Sequence, residues 1–122
     1  MIYSETRLKV ADNSGATRVG CIHVNGSTGT RVATVGQIIM VSVKSCIPHG
    51  KVKKGEVYKA VIVRTKKPAR RKNGMTVRFD DNAVVLLDRK SHDLIGTRVL
   101  GPVATEVRAT SSKIVSLAEE VF

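Results

Sequence analysis

The run Lys66-Lys67-Pro68-Ala69-Arg70-Arg71-Lys72 gathers five cations within seven residues. Arginine can fork onto a phosphate through two N–H groups and lysine can approach one as a point charge, so the chemistry on offer is anion capture. A solvated loop or a nuclear-localisation-like run would share that composition. The flanking cations favour a surface patch instead. From Lys44 to Arg78 there are twelve basic residues against Glu56 alone, while the rest of the chain holds nine of each sign. The entire excess of +11 therefore sits in 35 consecutive residues. Self-repulsion in such a block costs stability, and a polyanion offsets it, so nucleic acid is the expected partner. The side chains expected to meet phosphates are Lys44, Lys51, Lys53, Lys54, Arg64, Lys66, Lys67, Arg70, Arg71, Lys72 and Arg78.

Other reactive types are sparse. Cys21-x-His23 and Cys46-x-x-His49 form a possible two-Cys, two-His zinc set, since residues i and i+2 on a strand share a face. One-residue spacing is unusual for a structural zinc site, and nothing in the sequence brings the two pairs together. The expectation is two reduced, semi-buried thiols and two surface imidazoles, with no metal and no cofactor. Asp80 and Asp81 are adjacent, so on a strand they face opposite sides and cannot flank one bond; they are expected at a turn or strand end. Gly26 to Gly29 lacks the Lys and helix of a phosphate loop, and neither a nucleophile elbow nor a His/Glu metal helix occurs. No motif supports catalysis. The aromatics are Tyr3, Tyr58, Phe79 and Phe122, with no Trp, so a stacked platform for single-stranded bases is missing. Folded RNA or duplex backbone fits better, and Phe79 is expected in the core.

These cations need a scaffold. At 122 residues, 42% hydrophobic and 25% charged, the chain is expected to fold as one domain over 1–122. The 19 Val, 8 Ile and 10 Thr against 6 Leu suit pleated strands. Strands are expected at Arg7 to Ala11, Thr17 to Val24, Gln37 to Val43, Val57 to Thr65, Met75 to Phe79 and Ala83 to Leu87. Turns are expected at Asp12 to Gly15, Gly26 to Gly29, Pro48 to Gly50 and Asn73-Gly74. Short strands at this spacing predict a small closed β-barrel over about 1–102, with the basic run as a long hairpin tip. Val103, Val107, Ile114 and Leu117 predict one or two short helices over about 103–122, with Pro102 just ahead. The apolar stretch Ile38 to Val43 is far below the roughly 20 residues of a membrane span. Glu5, Arg7 and Lys9 are expected to leave no room for a secretory signal, which removes the opportunity to glycosylate Asn25-Gly26-Ser27.

Ala60-Val61-Ile62-Val63, followed by Asn73-Gly74, Phe79, Asn82 and Val85-Leu86, resembles the signature of the L-fourteen family of large-subunit ribosomal proteins. Leu8-Lys9-Val10-Ala11-Asp12-Asn13-Ser14-Gly15-Ala16 is similar to the family's first-strand motif, and Gly50-Lys51-Val52-Lys53-Lys54-Gly55 to its central basic turn. Gly96-Thr97-Arg98-Val99-Leu100-Gly101-Pro102-Val103 resembles the segment before its C-terminal helices. The segments cover nearly the whole chain, in the bacterial or organellar form.

The resemblance implies an all-β fold: a five-stranded barrel with a protruding basic ribbon and short C-terminal helices. It implies a non-catalytic constituent of the large ribosomal subunit, bound to large-subunit rRNA, in the bacterial cytoplasm, mitochondrial matrix or plastid stroma. It further implies neighbouring ribosomal proteins L-three and L-nineteen, an intersubunit bridge to small-subunit rRNA, and a docking surface for a ribosome-silencing factor that includes Thr97, Arg98 and Lys113. Two stretches depart from the family pattern. Ser91-His92-Asp93-Leu94-Ile95 alters the approach to Gly96, and Ala118-Glu119-Glu120 lacks a proline common there, so the last helix is expected to run longer. Two rival functions are a regulatory translation or assembly factor with a small RNA-binding barrel that visits ribosomes transiently, and a metal-dependent RNA hydrolase built on Cys21, His23, Cys46 and His49.

Overall fold

Burial alternates along the first strands. In β1 (Arg7–Val10) Leu8 points inward between exposed Arg7 and Lys9, and in β3 (Ile38–Cys46) Ile39, Val41 and Val43 are buried on one face. β2 (Ala16–Val24) pairs with both, antiparallel. The structure, a computed structural model, describes residues 2, 6–24, 32–88, 90 and 93–122. The turn expected at Gly26 to Gly29, the Asn25-Gly26-Ser27 sequon, Tyr3, and Ser91 and His92 lie outside the described residues.

β4 (Val57–Arg64) follows β3, and a two-stranded ribbon of β5 (Ala69–Arg70) and β6 (Thr76–Val77) precedes β7 (Ala83–Leu87). The sheet order β1-β2-β3-β4-β7 closes into a barrel because β7 returns to β1 in parallel, through Lys9↔Ala83 and Val10↔Val84. Closure removes the sheet edges, as the sequence predicted.

β7 does not alternate; all five of its residues are buried. Val84 and Leu86 face the barrel interior with Leu8, Val19, Ile39 and Ile62. Ala83, Val85 and Leu87 face outward, with Val61 and Val63 of β4, into a second apolar layer supplied by Val99, Val103, Val107 and Ile114. Each buried Val or Ile contributes about 1.5–3 kcal/mol, so the C-terminal segment is a lid that this outer face requires.

That lid differs from expectation. Pro102–Val103 form β8 rather than a helix approach, followed by a 3₁₀ helix (Thr105–Ala109), helix α1 (Ser112–Leu117) and β9 (Glu120–Val121). The last helix does not run on, because β9 pairs in parallel with β8 and Phe122 N donates to Val103 O at 2.9 Å. Backbone partners on β8 satisfy the tail better than another helical turn. No described helix is long and apolar enough to cross a membrane.

The turn after β1 fastens the parallel seam. Asp12 is buried, and its Oδ1 accepts from Ser14 Oγ at 2.6 Å and Ser14 N at 3.1 Å, while Oδ2 accepts from Leu86 N at 3.1 Å. Next to it, Asn13 Oδ1 accepts from the backbone N–H of Thr97 at 2.7 Å and of Arg98 at 3.0 Å, and Asn13 Nδ2 donates to Thr97 Oγ1 at 2.8 Å. Burial pushes the Asp12 carboxyl above its ordinary range, against the opposing pull of the Ser14 and Leu86 donors and the Lys51 charge.

Removing the Asp12 carboxylate leaves these donors without an acceptor. Asp12→Ala is expected to lower stability by about 2–3 kcal/mol in urea unfolding, with the m-value unchanged. The folded carboxyl binds its proton more tightly than the unfolded one, so its stabilisation is greatest below the unfolded range and is lost as pH rises through the folded range. The stability gap between the native chain and Asp12→Ala should therefore narrow as pH climbs from the ordinary value of 3.8.

Candidate nucleic-acid interface

The basic run was expected as a long hairpin tip, and it forms one side of an ordered ribbon. Ala69–Arg70 pair with Thr76–Val77, so the strand expected over Met75 to Phe79 shrinks to two residues. At the base, Lys66 N donates to Asn82 Oδ1 at 2.8 Å, Phe79 N to Thr65 O at 3.0 Å and Thr65 Oγ1 to Lys67 O at 3.0 Å. At the tip, Arg71 N donates to Met75 O at 2.8 Å, Gly74 N to Arg71 O at 3.0 Å and Met75 N to Asn73 Oδ1 at 3.0 Å. Lys66, Lys67, Arg70, Lys72 and Arg78 are exposed along this fixed frame.

Two arginines of the same block point back into the protein. Arg64, with 11% of its side chain exposed, donates from Nε to Asp81 Oδ1 at 2.9 Å, from Nη2 to Asp81 Oδ2 at 3.4 Å, and from Nη1 to Leu100 O at 3.0 Å and Pro102 O at 3.3 Å. Gly101 makes this possible: it sits at φ +79°, and a Cβ there would lie 2.3 Å from Arg64 Nη1. Arg71, half-buried, donates from Nε to Glu106 Oε1 at 2.7 Å and from Nη2 to Phe122 O. These two guanidiniums tie the ribbon and its base to the C-terminal lid.

Lys51, Lys53 and Lys54 are exposed on the turn between β3 and β4, whereas the ribbon leaves from the far end of β4. The eight residues of β4 separate them by roughly 26 Å at 3.3 Å per residue. The block that is continuous in sequence therefore divides between two ends of the barrel. At the first end, Lys51 N donates to Ser14 O at 2.9 Å and Lys51 Nζ to Ile95 O at 3.3 Å, which puts this basic turn beside the Asn13-held backbone of exposed Thr97 and Arg98. Lys113 is exposed on α1, within the lid, and Lys44 is exposed near the end of β3.

The Cys/His set does not assemble. Cys21 pairs with Val41 of β3, while Cys46 pairs with Ala16, five residues farther along β3. A register shift between Cys21 and His23 also breaks the i, i+2 rule: Cys21 is buried and His23 exposed. Burial pushes the Cys21 thiol up, against a hydrogen bond from the His23 backbone, which disfavours the thiolate a metal needs. Cys46 is half-buried and His49 exposed. Asp80 and Asp81 lie in a bend, as expected, and Phe79 is half-buried against the core. The sequence reading missed Gly101, Asn82 and Glu106 as positioning residues. The Gly101-Pro102 pair was the available signal, since such a pair marks constrained backbone.

A closed barrel carrying a hydrogen-bonded ribbon of exposed cations is a small basic protein whose surface suits a polyanion. The family model for Ribosomal protein L14p/L23e matches residues 1–122, and the chain belongs to this family. It is a structural constituent of the large ribosomal subunit that binds rRNA, from a family of structural proteins rather than enzymes.

The Arg64 clamp yields a test. Lysine keeps the charge but cannot reach Asp81 and two carbonyls at once. Arg64→Lys is expected to lower stability by about 2 kcal/mol in chemical unfolding while the net charge stays the same.

Proposed function

We propose that the chain grips large-subunit rRNA at two ends of its barrel. The ribbon cations Lys66, Lys67, Arg70, Lys72 and Arg78 meet phosphates at one end, and Lys44, Lys51, Lys53 and Lys54 meet them toward the other. Arg64 and Arg71 serve the same surface from beneath, by fixing the ribbon on the lid. The observation that carries this reading is the ribbon itself: exposed cations on a backbone whose base and tip are both hydrogen-bonded. An ordered array loses little entropy on docking, and each neutralised phosphate releases counterions.

Family membership and the exposed placement of Thr97 and Arg98 support a finer reading. We propose that their surface, with Lys113, faces the small subunit and takes a ribosome-silencing factor. In this reading ribosomal proteins L-three and L-nineteen are neighbours, and small-subunit rRNA is reached through an intersubunit bridge. The ribosome is of bacterial or organellar type. Asn13 supports the docking surface, since it holds the Thr97 and Arg98 amides in place.

Sedimentation of a lysate through sucrose in high salt tests the core role. The chain should appear at about one copy per large subunit and per whole ribosome, and be absent from free small subunits. A salt-labile signal confined to precursor particles would make it a transient factor instead. In the same assay, Arg70→Ser with Lys72→Ser should reduce incorporation, whereas Thr97→Ala with Arg98→Ala should leave incorporation intact and weaken capture of the silencing factor. Equal loss of incorporation by both pairs would contradict the division of labour.

A further inference from the structure

Asparagine is chemically labile, most of all before glycine, whose backbone nitrogen can reach the preceding side-chain carbonyl with no Cβ in the way. The tip of the ribbon is such a pair. Asn73 and Gly74 are both exposed, between exposed Lys72 and Met75. Gly74 sits at φ +86°, and a Cβ placed there would meet nothing within 4 Å, so a ring closing over this peptide has room.

Two features of the turn favour that ring closure and one restrains it. Met75 N donates to Asn73 Oδ1 at 3.0 Å. To reach an amide two residues on, the Asn73 carbonyl must lie along the Gly74 peptide, and the same N–H points at the oxygen on which negative charge develops when nitrogen adds to Cγ. Arg70 and Lys72 are exposed just ahead of Asn73, and their field favours both that oxyanion and the loss of the Gly74 amide proton. Against these, Gly74 N donates to Arg71 O at 3.0 Å, which holds the proton of the attacking nitrogen in place. Opening this one bond frees it. The other described asparagines are held more firmly. Asn13 Oδ1 accepts from the backbone of Thr97 and Arg98, and the next amide, Ser14 N, donates to buried Asp12. Asn82 Oδ1 accepts from Lys66 N, and the next residue, Ala83, is buried in β7.

We propose that Asn73-Gly74 is a site of spontaneous deamidation, and that its product weakens the ribbon's hold on RNA. Base takes the Gly74 amide proton, the nitrogen adds to Asn73 Cγ, and the Cγ–Nδ2 bond breaks as ammonia leaves. Water then opens the five-membered imide at either carbonyl. One opening gives aspartate, and the other gives isoaspartate, with the main chain rerouted through the side-chain methylene. Water is the only co-reactant. Either product sets a carboxylate among the cations of the ribbon tip, where it competes with phosphate for them. Isoaspartate also lengthens the turn by one carbon, so the Arg71–Met75 and Gly74–Arg71 hydrogen bonds no longer share one frame. The effect on RNA rests on the reading of the ribbon as an rRNA contact; the deamidation does not.

The test is to hold the full chain in mildly alkaline buffer and follow each asparagine by peptide mass mapping, with an isoaspartate-specific methyltransferase to score the rearranged product. Asn73 should convert at a rate proportional to hydroxide while Asn13 and Asn82 stay intact. Relative to the chain unfolded in guanidinium chloride, conversion of Asn73 should be slowed by no more than the protection factor of the Gly74 amide in hydrogen exchange, since both need the same bond to open. Asn25-Gly26, outside the described residues, is scored as its own peptide. An Asn73 that stays intact, or that converts only together with Asn13 and Asn82, would overturn the site. For the effect on RNA, Asn73→Asp should lower the log–log salt slope of binding to deproteinised large-subunit rRNA by about 0.8, the value for one phosphate contact, at an unchanged melting temperature. A slope lowered by Arg70→Ser with Lys72→Ser but untouched by Asn73→Asp would overturn the inference and leave the ribbon reading standing. A slope untouched by either would overturn both.

Discussion

β1 runs parallel to β7 over Lys9↔Ala83 and Val10↔Val84, and at this seam an otherwise antiparallel sheet becomes a barrel. Parallel pairing is slightly weaker per residue than antiparallel, and here it spans only two register pairs. The seam is reinforced from the side. Ala11 N donates to Val84 O at 2.8 Å, Leu100 N donates to Ala11 O at 2.6 Å, and the Asp12 carboxylate reaches the Leu86 amide. One segment, Ala11 to Ser14, thereby holds three things at once: the closing strand, the start of β2, and the backbone of Thr97 and Arg98.

From the closed barrel the rest of the molecule follows by burial and charge. Outward-facing Val61, Val63, Val85 and Leu87 demand a cover, and the C-terminal segment supplies it. The cover brings Glu106 to Arg71, and the Leu100 and Pro102 carbonyls to Arg64. A protein with a net charge of +11 must hold like charges apart at fixed positions without collapsing onto its few acids. This chain commits Asp81 to Arg64 at the base of the ribbon and Glu106 to Arg71 near its tip, and keeps the other ribbon cations exposed. The acids act as anchors, and the surface they hold in place stays positive.

Much of this was legible in the residues. Val and Ile enrichment with turn residues at short intervals led to a closed barrel, and clustering of charge led to a polyanionic partner. The all-apolar run Ala83 to Leu87 also carried information, because a barrel strand without alternation needs a second layer. Other features were not legible for physical reasons. Charge counted along the chain cannot show that β4 carries Lys51–Lys54 and the ribbon to opposite ends. Alternation at Cys21 and His23 failed because a bulge is set by pairing across strands. The two-residue strands β5, β8 and β9 are too short for any periodicity and exist because a partner backbone lies alongside. Arg64 looked like one more phosphate contact, because the acid and carbonyls that take it up are 17 to 38 residues away in sequence.

The cationic ribbon is built before RNA arrives. Amide hydrogen exchange on the free protein addresses it directly, at Lys66, Arg71, Gly74, Met75 and Phe79, whose N–H groups are bonded within the ribbon and its base. Exchange well slower than that of an unstructured peptide is expected at all five, with Lys66 and Phe79, at the base, the slowest. Exchange at the free-peptide rate across these amides, with the barrel strands still protected, would show a loop that folds only on rRNA and would contradict the account.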